Sequence, residues 1–231
     1  MSYRRLQLER LTPADISRAL EQNSLIYVPL GTIEWHGQHL PVGFDGISAH
    51  LLCLQAAERT GGLVMPPLFF GAGGGHTDYD WTIVPPASQL RPLLETTLSR
   101  LHTFGVKQVI LYSGHFPHEQ IDLMRELARN FTDEAMITRA LAPSLANDAF
   151  PVEADHAALF ETALMERLAP DLVFTDRLAT KEETPDKIGS REDLTHPLYG
   201  VYGPDPREVT DKLSEELHEQ LVEWIIAQVA N

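Results

Sequence analysis

The chain has 231 residues, a single cysteine and a formal net charge of −15 from 33 acidic and 18 basic residues. That length suits one α/β domain spanning residues 1–231. The acidic balance repels phosphate backbones and argues against a nucleic-acid partner. The lone Cys53 leaves no intrachain disulfide and no thiolate zinc site, which points to the cytoplasm. No apolar run approaches the roughly 18 residues of a membrane span, and the polar sequence after Met1 has no signal-peptide core.

In chain order, Leu25–Leu30 reads as a buried strand. It runs into Glu34-Trp35-His36-Gly37-Gln38-His39-Leu40-Pro41-Val42-Gly43-Phe44-Asp45, a Gly/Pro-rich loop dense in metal-ligand residue types. Carboxylate and imidazole ligands of this kind suit zinc, manganese or iron, and a bridging carboxylate would hold two ions in a hydrolytic arrangement. Glu34 and His36 are two apart and can grip adjacent ions. Asp45 doubles as an N-cap candidate for a helix over 45–59 that stops at Gly61-Gly62. His39 competes with His36, and is assigned to orienting a carboxylate behind the ligands.

Leu63–Met65 is a candidate short strand. Gly71-Ala72-Gly73-Gly74-Gly75-His76 fits neither the phosphate-loop spacing nor the dinucleotide fingerprint, so it reads as a flexible pocket wall with His76 near the substrate. Ser88 is the expected N-cap of a helix through Phe104, with Leu90, Leu93, Leu94, Leu98 and Leu101 on its apolar stripe. A second strand, Val106–Tyr112, runs into Ser113-Gly114-His115, and its strand-end position makes His115 a further ligand candidate. A helix over 117–130 follows, with His118 and Glu119 on its exposed first turn. Ala135–Leu141 is the expected third strand and Leu172–Thr175 a short fourth. Asp155–Leu168 reads as a helix carrying His156 and Glu161. Lys181–Pro206 reads as a long surface loop, a lid or an oligomer contact, and a last helix runs from about Arg207 to Ala230. Both ligand-rich loops leave the carboxyl ends of strands, which share one edge in a parallel sheet.

The stretch from Gly31 to Asp45 resembles the signature of the creatininase (creatinine amidohydrolase) family. Ser113-Gly114-His115 is similar to that family's Asn-Gly-His turn. His156-Ala157-Ala158-Leu159-Phe160-Glu161-Thr162 is similar to its His-Ala-Gly-x-x-Glu-Thr block, and the loop from Gly71 to Ile83 to its central loop. The resemblance implies a three-layer α/β/α sandwich with a mostly parallel central sheet, a hexamer, and hydrolysis of a non-peptide or cyclic amide of a small molecule. By matching position it implies Glu34, His36, Asp45 and His115 as metal ligands with Asp45 the bridge, Glu161 as ligand or acid/base group, and His156 beside the substrate. One departure stands out: Pro117 occupies the place of a family Glu, so a ligand is lost or comes from Glu161 or Glu119. One or two divalent ions per chain are therefore expected. The alternatives are a single-ion deformylase and a non-catalytic binding protein on the same fold.

Overall fold

The computed structural model describes residues 3–180 and 191–230. Four parallel strands form the central sheet: β1 (Leu25–Leu30), β2 (Leu63–Val64), β3 (Gln108–Ser113) and β4 (Ile137–Leu141), in the order β2-β1-β3-β4. All six residues of β1 are buried, which explains its continuous apolar run: a strand covered on both faces has no polar side to alternate. Pro29 sits in this central strand without disrupting it. The backbone groups of Tyr27, Pro29 and Gly31 face the β2 side, where they bond Met65 and Leu68. The missing N–H of Pro29 falls opposite Pro66-Pro67, where β2 has ended.

Successive residues of β1 feed opposite layers. Leu25 and Tyr27 join Ile110 and Tyr112 against α2 (Phe44–Thr60), α5 (Leu159–Leu168) and α6 (Asp211–Ala230). Ile26, Val28 and Leu30 join Val109 and Leu111 against α1 (Pro13–Gln22), α3 (Ala87–Thr103) and α4 (His118–Asn130). The result is the expected α/β/α sandwich.

Several boundaries differ from the sequence reading. Helix α1 carried no apolar run to announce it. It is set by a capping box in which the Thr12 side chain accepts from Asp15 N and Asp15 reaches back to Thr12 N, a device worth about 1 kcal/mol. Helix α3 starts one residue before Ser88, behind Pro86. The expected strand at Leu172–Thr175 is instead part of two short 3-10 turns, Pro170–Leu172 and Thr175–Arg177, between which Phe174 N bonds His39 O in the first loop rather than a sheet strand. The last helix begins at Asp211, four residues late, after a turn at Pro206–Glu208. Of the expected loop over 181–206, residues 181–190 lie outside the described set. Its remainder is not simply surface: Leu198 and Val201 are fully buried against Ala157, Ala158 and Leu178. No described helix is long and apolar enough to cross a membrane.

Candidate metal centre

The carboxyl ends of β1 and β3 converge on the first turn of α2. Two glycines make that approach possible. A Cβ on Gly31, just beyond β1, would lie 2.1 Å from Gly46 N, and one on Gly114, just beyond β3, would lie 2.2 Å from Asp45 O. Only glycine lets the helix seat between the strand ends. Asp45 is consequently not the N-cap, a position held by Gly43. It lies in the first turn, where the helix N-terminus favours its charge, with its carboxylate buried at the junction.

The two oxygens of Asp45 face two different histidines. Oδ1 is 3.1 Å from His36 Nε2, and Oδ2 is 3.1 Å from His115 Nδ1. His115 Nδ1 is also 3.0 Å from Glu34 Oε2, and His36 Nε2 is 3.4 Å from Glu161 Oε2. Two triads with donor atoms close enough to share an ion result, Glu34–Asp45–His115 and His36–Asp45–Glu161, with Asp45 common to both. Glu34, His36 and His156 make a third, overlapping group.

The supporting contacts fit a metal. His36 Nδ1 donates to Glu34 O at 3.0 Å and His115 Nε2 donates to Gly73 O at 3.2 Å. Each bond turns the opposite ring nitrogen toward the carboxylates, the orientation that backbone carbonyls give to ligating imidazoles. Both His36 Nε2 and Asp45 Oδ2 are buried with no well-formed hydrogen bond, a costly arrangement that a cation between them would relieve.

Electrostatics point the same way. Burial alone would lower His36, but the charges of Asp45 and Glu161 outweigh it and raise its pKa to about 10. Burial likewise opposes a charged His115, and hydrogen bonds to Asp45 and Glu34 raise it to about 10. The two protons stand where cations would. Burial also resists ionisation of Glu34, yet hydrogen bonds from His115 and His76 hold it far below the ordinary carboxylate range. Glu161 is pushed well above that range by burial, with Asp45 and Asp155 adding to the effect against His36.

A cavity of about 490 Å³ opens on this cluster, and among the described residues that line it there is no Lys or Arg. His76 forms one wall. Its Nδ1 lies 2.5 Å from Glu34 Oε1, and its ring stacks on His156 at 4.0 Å and on Tyr202 at 5.3 Å. His156 donates from Nε2 to Trp35 O at 2.8 Å. Burial and the neighbouring His36 charge hold His156 down to about 3, so it is neutral. Helix α5 begins at Leu159 rather than Asp155, so His156 precedes it in an extended loop bridged to Tyr202, which removes the angular separation a continuous helix would impose.

His39 does not orient a carboxylate. It is fully buried, its Nε2 is 3.0 Å from Thr162 Oγ1, and it fastens the first loop to α5 from behind the cluster. The Gly71–Gly75 loop is tied down rather than free: Ala72 N donates to Gln120 Oε1 at 2.8 Å, and Gln120 Nε2 donates to Ser113 Oγ at 2.7 Å. His118 and Glu119 are exposed as expected, yet both line the cavity mouth. Two further residues escaped the sequence reading. Gln120 looked like one more polar residue on a helix. Asp155 accepts from Phe160 N at 2.8 Å and Glu161 N at 3.3 Å, capping α5 from five residues away; an acidic residue ahead of a helix start was its only available signal.

The family model for creatinine amidohydrolase, creatininase, matches residues 9–229. Creatinine amidohydrolase from Pseudomonas putida is 27% identical over 212 residues, 82% of this chain and 78% of that protein. The mycofactocin precursor peptide peptidase of Mycobacterium ulcerans is 29% identical over 170 residues, covering 69% of this chain and 64% of that protein. A crystal structure of creatininase superposes with a TM-score of 0.75 at 23% identity, covering 97% of this chain and 96% of that one. Similar solved structures include a manganese creatininase and a mutant creatininase of zinc–zinc type, with TM-scores of 0.72 and 0.73.

Proposed function

We infer the activity from one premise: the chain belongs to the creatininase family. It is a metal-dependent hydrolase of C–N bonds other than peptide bonds, acting on an amide of a small molecule. The division of Asp45 between His36 and His115 carries this reading, since a carboxylate whose two oxygens face two separate donor sets is suited to bridge two ions. In the proposed assignment Glu34, Asp45 and His115 hold one ion, and His36, Asp45 and Glu161 hold the other. Zinc, manganese and iron all fit these oxygen and imidazole donors. Glu161 lies close enough to His36 and Asp45 to complete a second donor set, which favours two ions over a single-ion deformylase despite Pro117.

Divalent ions bound there would polarise a carbonyl oxygen and bring the pKa of a water to about 7. The chain's own groups manage the protons and the approach. His156 is neutral, and with Nε2–H committed to Trp35 O its Nδ1 lone pair can take a proton and return it to the leaving nitrogen. The outer oxygen of Glu161 is a second station for that proton. His76, packed against both His156 and Tyr202, forms a rigid wall for a planar substrate. Among the described residues the lining holds carboxylates and imidazoles and no Lys or Arg, so within that set nothing pairs with a carboxylate or phosphate next to the scissile amide. The same reading extends to a cytoplasmic homo-oligomer, a hexamer by resemblance, acting without nucleic acid or membrane.

The test is elemental analysis of purified Asp45→Ala beside turnover of a panel of cyclic amides and formamides. Both ions and all activity should disappear together. Full metal occupancy in that variant would refute the bridging assignment.

A further inference from the structure

Between α4, the edge strand β4 and the end of α6 lies a second concavity, of about 560 Å³, whose chemistry is the reverse of the catalytic cavity. Its polar lining among the described residues is Arg125, Arg129, Arg139, Gln228, Thr132 and Thr138, with no carboxylate among them. Arg125 and Arg129 are four apart on α4 and share a face, a spacing at which like charges destabilise a helix. Arg139 comes across from β4.

None of the three arginines makes a hydrogen bond or ion pair with a described residue. Asp122, one turn before Arg125, pairs with neither helix arginine. Glu126 is closed on Arg91 at 2.6 and 2.9 Å and meets Arg129 only as a nearby charge. Arg139 Nε is buried without a hydrogen-bond partner. The threonine hydroxyls are already spent, Thr132 on Ala128 O at 2.7 Å and Thr138 on Phe131 O at 2.9 Å. The guanidinium N–H groups and the Gln228 amide are what the groove has left to offer. Protection of an edge strand accounts for a charge at Arg139 alone, not for the pair on α4. The C-terminal end of α4 and the nearby Glu126 charge favour Arg129, but in a chain with a net charge of −15 they do not account for Arg125 and Arg139 beside it without a hydrogen bond or ion pair to a described residue.

We propose that this groove binds a small dianion of the phosphate type, held by the forked donors of Arg125, Arg129 and Arg139 with Gln228 completing the site. Guanidinium forks match the oxygens of such a ligand in pairs, and the volume suits a small molecule rather than an extended chain. The site lies apart from the proposed metal ligands and does not depend on their assignment.

The probe is inorganic phosphate, titrated calorimetrically into metal-loaded protein at constant ionic strength, with Arg Nε–Hε resonances followed by NMR. The Arg139 resonance should shift on binding. Affinity should fall by about tenfold or more in Arg125→Gln/Arg129→Gln and in Arg139→Gln, while metal content and amide turnover stay at wild-type levels. Equal affinity in wild type and variants would place phosphate elsewhere, at the metals for instance, and overturn the assignment. So would an unmoved Arg139 resonance, or a homo-oligomer that dissociates in the double variant, which would make the face a contact between copies.

Discussion

The two donor triads share Asp45 but stand on different foundations. Glu34 and His115 leave the ends of β1 and β3, which pair along six residues in the middle of the sheet. Their orientation is secured by Gly73, Gln120 and Ser113, all close to those strand ends. The second triad takes His36 from the same loop as Glu34, but its Glu161 depends on the block over 155–161, which belongs to no sheet. It is held by the Asp155 cap, the backbone bridge to Tyr202, and the bond from Ala157 N to Glu161 Oε2 at 2.6 Å. One triad is a product of the fold, and the other is built locally on top of it. The first should be the more rigid and the second the easier to tune or lose.

Selective removal tests this asymmetry most directly. Glu161→Gln should leave one tightly held ion and Glu34→Gln should leave the other, each with turnover down by about 10²-fold or more, since a hydrolytic pair needs both positions. Metal content should also separate from stability. Losing Glu34 should lower the melting temperature of the metal-loaded protein more than losing Glu161, because only the first unbinds the sheet edge. Two ions lost from either variant would show a single cooperative site and erase the distinction.

Proton release sharpens the comparison next. In metal-free protein His36 and His115 both sit at about 10, above the ordinary histidine value of about 6.5. The sign follows from that order. Their contribution to metal-free stability is complete below pH about 6.5 and is lost as pH rises through about 10. At pH 7 both carry protons that an ion must displace. Binding of zinc should therefore release roughly one proton per triad and tighten by up to about tenfold per pH unit. Titration in weak buffer with a pH electrode reads this directly. Zero release at pH 7 would mean the imidazoles are neutral without metal.

These differences also mark how far the sequence could be read. The first triad was legible because Glu34 and Asp45 fall in one loop after an unmistakable buried strand, a loop that also carries His36 of the second, and His115 repeats the strand-end position. The layers were legible for the same reason, as periodicity and strand composition record burial. The second triad was only partly so. Glu161 was found by resemblance, whereas its geometry depends on a helix that starts at Leu159 and a cap reaching back to Asp155, neither of which has a periodic signature. Helix α1 was missed because its apolar stripe is only three residues long, Ile16, Ala19 and Leu20, and its start is written in a capping box. His39 was misplaced because adjacency in sequence to ligands says nothing about which side of the loop a ring faces.

Asp155 tests the local construction of the second triad at smaller amplitude. Its carboxylate fixes the first turn of α5 without belonging to either triad. Asp155→Asn keeps an acceptor for one backbone N–H, and Asp155→Ala keeps none. Affinity for the second ion should fall in that order, by about tenfold for Ala, as removal of groups behind metal ligands does. The first ion should be unaffected. Equal weakening of both ions would show that α5 supports the whole centre.

The smallest effect concerns Ala157, which holds a φ of +53°. A left-handed backbone costs an L-residue about 1–2 kcal/mol, and here that conformation aims the Ala157 N–H at Glu161 Oε2. If the strain serves the ligand, Ala157→Gly should retain both ions. Its relief of strain is opposed by the greater freedom glycine has when unfolded, so stability should stay within about 1 kcal/mol of wild type. Ala157→Val cannot take the same course, because a β-branched residue is a poorer fit to left-handed backbone. It should lose affinity for the second ion while keeping the first, a difference measurable by competitive chelator titration. Indistinguishable binding in the two variants would separate the backbone of residue 157 from Glu161, and leave the second triad resting on the Asp155 cap and the bridge to Tyr202.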